Sequence, residues 1–202
     1  MGKKGDLTRS KVIQSATYCL LHFGDRKTTF QLIADHSRVS QALVVKYFKN
    51  RDSIFPAVLD FWISWAREKT EKALVQSGSS EEKLRNYLRV SIELFQGTGE
   101  FARVYLLLHY FAGLDDRYKG INSDIKRVAV ARISGIIEDG IRTGAFRKVD
   151  VPLIAKTIHN NLVGHVLSSI TEVPQSFHVK LPAALEDECL KLVLANDQAP
   201  AN

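Results

Sequence analysis

Val39-Ser40-Gln41-Ala42-Leu43-Val44-Val45-Lys46-Tyr47-Phe48 is the stretch on which the reading of this chain turns. Ser40 suits a helix N-cap, because its hydroxyl can accept from a free N–H of the first turn. Val39, Leu43, Val44 and Phe48 then share one face at helical spacing, while Gln41, Ala42, Val45, Lys46 and Tyr47 lie near or on the other. A rod this short is stable only if its apolar face is covered by neighbours. Those neighbours stand just upstream. Across the turn His36-Ser37-Arg38-Val39 lies a second short helix, with Phe30, Ile33 and Ala34 facing inward. Thr28 with Gln31 fits a capping box at its start, and Thr29 is an equally good cap. Before it, residues 7–23 carry Val12, Ile13, Ala16, Cys19, Leu20 and Phe23 on one stripe, with Gly24 as the stop. Three short helices with a tight turn before the third describe a helix-turn-helix unit.

Charge divides along the same line. The chain carries +6 at pH 7 with histidine neutral, and residues 1–51 hold ten Lys/Arg against three Asp/Glu. The rest is slightly acidic, so the whole excess of positive charge sits in the first quarter. A polyanion bound there accounts for this better than solubility does. Lys3, Lys4 and Arg9 are expected to add contacts from a flexible arm.

Downstream, a long fourth helix is predicted from Asn50 to about Gln76, with Pro56 tolerated near its first turn. Ser77-Gly78-Ser79-Ser80 is the clearest break. Further helices follow over 81–96, 100–112, 123–142, 151–171 and from Pro182, and the tail from Asn196 is expected to be loose. The fold class is therefore all-α with about nine helices: a head, residues 1–50, and a body, residues 51–202.

Other function classes find little support. The six histidines form no i, i+4 pair and no grouping with cysteines or carboxylates of metal-ligand spacing, so no metal and no cofactor are expected. Gly-rich phosphate loops and nucleophile elbows are absent, and an enzyme is not expected. Cys19 and Cys189 read as buried small apolar residues rather than a disulfide pair. No apolar run approaches the ~18 residues of a membrane span, and the first residues do not read as a signal peptide, so a cytoplasmic chain without a membrane partner is expected.

Residues 9–55 resemble the DNA-binding domain of TetR-type transcription regulators. The likeness is carried by Ile13 and Ala16, Gly24, Thr28-Thr29, Ile33-Ala34, the run from Val39 to Phe48, and Lys49-Asn50-Arg51-Asp52-Ser53-Ile54-Phe55. A weaker echo lies at Ile137-Glu138-Asp139-Gly140-Ile141-Arg142-Thr143-Gly144-Ala145-Phe146 with Asp150. The resemblance implies that Thr29, Gln31, Gln41, Ala42, Val45, Lys46, Tyr47 and Arg51 contact DNA. Where the family commonly has a turn glycine this chain has Arg38, at a cost of roughly 1 kcal/mol if that residue is left-handed.

A single head reads few base pairs, so a homodimer on a palindromic double-stranded operator is expected. Ile158, Leu162, His165, Val166, Ile170, Leu185 and Leu192 are the candidate dimer contacts, on two helices that the family pairs into a four-helix interface. Phe95, Phe101, Tyr105 and His109 are the candidate lining of a pocket for an apolar or aromatic small-molecule effector. The resemblance implies a repressor released from its operator when that effector binds. The rival reading is a helical adaptor that binds protein and has no specific DNA binding.

Overall fold

The computed structural model describes residues 3–96, 99–171 and 181–194. The predicted loose tail and His178 lie outside them. The described residues form nine α-helices and no strand: α1 (Lys3–Phe23), α2 (Phe30–Ser37), α3 (Gln41–Phe48), α4 (Ile54–Val75), α5 (Ser80–Gln96), α6 (Glu100–Ala112), α7 (Asp116–Arg142), α8 (Val151–Thr171) and α9 (Leu181–Lys191). Short 3₁₀ turns at Asp25–Lys27 and Arg51–Ser53 lead into α2 and α4. None of the described helices is long and apolar enough to cross a membrane.

Lys3 and Lys4 belong to α1 rather than to a flexible arm. The predicted stripe of α1 is buried from Val12 to Leu20, but Phe23 is 45% exposed, because the chain turns away at Gly24. Thr29, not Thr28, caps α2: its hydroxyl accepts from the Leu32 N–H at 3.2 Å. Thr28 is buried and donates to the Gly24 carbonyl instead.

Two apolar clusters make the core. One joins the head to the body without a break. It runs from Val12, Ile33, Val44 and Phe48 through Ile54, Val58 and Trp62 of α4 to Val104 and Leu108 of α6. A buried hydrogen bond from Trp62 Nε1 to Thr17 Oγ1, 3.1 Å, fastens α4 to α1. The other cluster, built by α5, α7, α8 and α9, includes Leu88, Ile133, Ile137, Ile158 and Leu190. Glu186 of α9 ties these helices further by accepting from Arg85 and Arg89 of α5 at 3.2 Å each.

The echo around Gly140 has a packing cause. A Cβ on Gly140 would fall inside the Phe146 ring. Only glycine lets the chain leaving α7 fold that ring flat against the helix. The Phe146 N–H then reaches the Gly140 carbonyl at 3.0 Å.

Candidate functional site

The head presents α3 on a frame set by two caps and one strained turn. At its start the Ser40 hydroxyl accepts from the Leu43 N–H at 3.3 Å. Arg38 ends α2 in the left-handed region, with φ 54° and ψ 45°, so the condition under which it costs stability is met. Lys49, at the other end of α3, also has a positive φ, 36°, which the sequence did not signal. Beyond it the Asn50 side chain accepts from the Ser53 N–H at 3.0 Å and starts the turn into α4.

On this frame α3 buries Val44 and Phe48 completely, with Val39 packed against the same core and Leu43 partly buried. Gln41, Ala42, Val45 and Lys46 are exposed on the opposite side, Val45 by 42% despite being aliphatic. Tyr47 is half-buried and rests against the head core. Thr29 is exposed at the start of α2, where its hydroxyl is already used as the cap.

Two of the eight predicted residues are engaged elsewhere. The Gln31 amide donates to Asp35 Oδ1 at 2.7 Å, one helical turn away. The Arg51 guanidinium donates to the backbone carbonyl of Asp25 and to its carboxylate, the latter at 3.1 Å. It thereby clamps the chain before α4 onto the turn before α2. Both side chains are exposed, so each contact is modest in strength and breakable. One feature of the head escaped the sequence altogether. Tyr18 is stacked between His22, at 3.9 Å, and His36, at 4.3 Å, across α1 and α2.

In the body, a cavity of about 390 Å³ opens between α4, α6 and α7. Two of the four predicted residues line it, Phe101 and Tyr105. Phe95 and His109 do not. The Phe95 ring stacks on Phe101 at 4.8 Å, and the His109 ring meets Tyr105 at 4.5 Å, each behind the residue that faces the space. Burial pushes the Tyr105 phenol up to about 12. The rest of the lining was not legible locally: Ile63, Ala66, Arg67 and Thr70 come from α4, and Ile121, Asp124, Ile125, Arg127, Val128, Ala129 and Arg132 from α7. These lie some sixty residues apart, and only packing brings them together. Among the described residues no three His, Cys, Asp or Glu side chains are grouped to hold a metal ion.

Of the residues predicted at a dimer interface, Ile158, Leu162 and Val166 are at most 5% exposed within one chain. The ladder they form at intervals of four faces inward, against the chain's own helices. Ile170, Leu185 and Leu192 are partly buried against the same two cores. His165 is half-buried, and both its ring nitrogens are shielded without a hydrogen-bond partner among the described residues. Burial holds its imidazole below the usual histidine range. The outer side of α8 carries Leu153, 58% exposed, with Lys156, Asn160 and Asn161.

A capped helix-turn-helix head fused through one long helix to an all-helical body defines the class of this molecule. Its fold is that of the TetR-type regulators, which it matches over most of its length. A TetR transcription regulator from Haloarcula marismortui ATCC 43049 superposes with a TM-score of 0.79 at 16% identity, over 94% of this chain and 100% of that one. AibR, crystallised with isovaleryl coenzyme A and operator DNA, gives 0.67 at 18% identity over 93% and 98%. In sequence the chain is similar to an uncharacterized HTH-type transcriptional regulator, YhgD, of Bacillus subtilis (strain 168). The two are 22% identical over 154 residues, which is 71% of this chain and 74% of that protein. No family model matches the sequence.

Proposed function

We propose that the chain is a sequence-specific DNA-binding transcription regulator, a repressor that leaves its operator when a small molecule occupies the body. The observation that carries this reading is the outer face of α3. Gln41, Ala42, Val45 and Lys46 stand in solvent on a helix whose opposite side is locked by Val44 and Phe48. An exposed aliphatic residue between an amide and an ammonium has little value to a free protein. In the major groove each has a use: Gln41 pairs with an adenine edge, Val45 touches a thymine methyl, and Lys46 holds phosphate. The N-termini of α2 and α3 add positive field at the same surface.

The cationic head, residues 1–50, is the reading part, and the body from residue 51 pairs two copies so that two heads meet a palindromic site. Like the chains it resembles, this one is read as a cytoplasmic regulator without catalytic activity. The core shared by α1, α4 and α6 is the route by which the body sets the angle of the head. A ligand that favours one packing of α4 changes the spacing of the two α3 rods and thereby the affinity for DNA.

Selection of bound duplexes from random DNA, with a salt titration, tests this. A palindromic preference and a steep fall of affinity with salt are expected. Gln41→Ala should relax preference at one base position, by about 1–3 kcal/mol, while Lys46→Ala weakens all duplexes alike. Equal binding of every duplex, or none, would return the chain to the rival reading of a protein-binding adaptor.

A further inference from the structure

We propose that the cavity between α4, α6 and α7 takes a small amphipathic anion: an apolar chain ending in one carboxylate or phosphate group. This rests on reading the body as the ligand-sensing part, and it gives that ligand its chemistry. The inner surface is apolar, with Ile63, Phe101 and Ile125 among the side chains that face it. Its rim is cationic. Arg67 of α4 and Arg127 and Arg132 of α7 line the space together with a single carboxylate, Asp124.

Their partners show which charges are left over. Arg127 donates to Asp124 at 3.2 Å, so these two neutralise each other. Arg132 has an ion pair with Glu71 at 3.6 Å, beyond hydrogen-bond length, and its side chain is only 23% exposed. Its donors are therefore both poorly satisfied and partly withdrawn from water. Arg67 has no ion pair or hydrogen bond among the described residues.

A neutral apolar molecule would take the remaining water from Arg132 without compensation, which costs free energy, and would leave Arg67 unpaired. A cation would be repelled. An anion on a short apolar chain satisfies both parts at once, because a planar guanidinium grips a carboxylate or phosphate with two parallel hydrogen bonds. The volume, about 390 Å³, suits a small molecule and lies at the low end of ligand pockets, which run from about 300 to 1,000 Å³.

The test uses the full chain without DNA and four probes of one chain length: decanoate, decyl phosphate, decanol and decyltrimethylammonium. Tryptophan fluorescence reads occupancy, because Trp65 and Trp62 lie 5.9 and 6.2 Å from the Phe101 ring. Either or both anions should bind at least roughly tenfold more tightly than decanol, and the cation more weakly than decanol. Arg67→Gln and Arg132→Gln should each weaken the anions by roughly tenfold and leave decanol alone. Arg67 is exposed, so its variant decides the matter if Arg132→Gln fails to fold.

Equal binding of decanol, tighter binding of the cation, no binding of any probe, or anion binding indifferent to both substitutions would overturn the proposal. The preference between the two anions assigns the head group. Duplex selection, run separately, keeps the two readings apart. Selected DNA without anion binding removes the ligand class and leaves the regulator. Anion binding without DNA selection does the reverse.

Discussion

The helices α3 and α8 resemble each other in sequence and differ in what they do with it. Each mixes apolar residues with at least one amide and a lysine. In α3 the apolar residues divide: Val44 and Phe48 are buried, and Val45 is left in solvent. In α8 the apolar ladder from Ile154 to Ile170 goes inward, and the amides Asn160 and Asn161 are outside. The cover for α3 comes from residues within about one turn and two short helices of it. The cover for α8 comes from α7, just before it, and in part from α5 and α6, which lie farther back in the chain. A short-range partner can be found by spacing alone, whereas a long-range one cannot. This is why the head was readable in detail and the packing of the body was not.

The sharpest way to break this contrast is to open both cores. Phe48→Ala in the head should cost about 3–5 kcal/mol and Ile158→Ala in the body about 2–5 kcal/mol, because each side chain is fully buried. In thermal melts followed by circular dichroism, Phe48→Ala should also lower the stability of α4 and α6, since one apolar cluster spans them. A head that melts alone while the body stays intact would show that the shared core couples nothing.

Acid separates the two regions next. Burial, with Lys126 and His109 nearby, holds the His159 imidazole down at about 4, against an ordinary 6.5. Its folded value is depressed, so the neutral ring contributes stability above pH 6.5, and that contribution is lost as pH falls toward 4. The loss amounts to roughly 3 kcal/mol at most. His159→Leu should flatten urea midpoints over that window. A profile unchanged by the substitution would remove His159 as the acid-sensitive point of the body.

A smaller effect is expected at the end of α7. Gly140→Ala should destabilise by about 1–3 kcal/mol through its collision with Phe146, and pairing it with Phe146→Ala should recover part of the loss. Smallest is Arg38→Gly. Relief of the left-handed strain should raise stability by up to about 1 kcal/mol, read as a small rise in melting temperature. If Arg38→Gly is destabilising, the arginine side chain contributes more than its backbone costs.

The sequence determined the helical class, the three-helix head, the capping of α3 by Ser40 and the exposure of Gln41, Ala42, Val45 and Lys46. Each of these follows from periodicity and capping chemistry acting over a few residues. Tertiary structure decided the rest: that Arg51 spends its charge on Asp25, and that Phe101 and Tyr105 face the cavity while Phe95 and His109 stand behind them. It also decided that arginines sixty residues apart gather at one rim, and that the α8 ladder packs on the chain's own helices. An apolar stripe says only that some surface will cover it. Which surface does so depends on how distant helices pack, and that is settled by the summed burial of the whole chain.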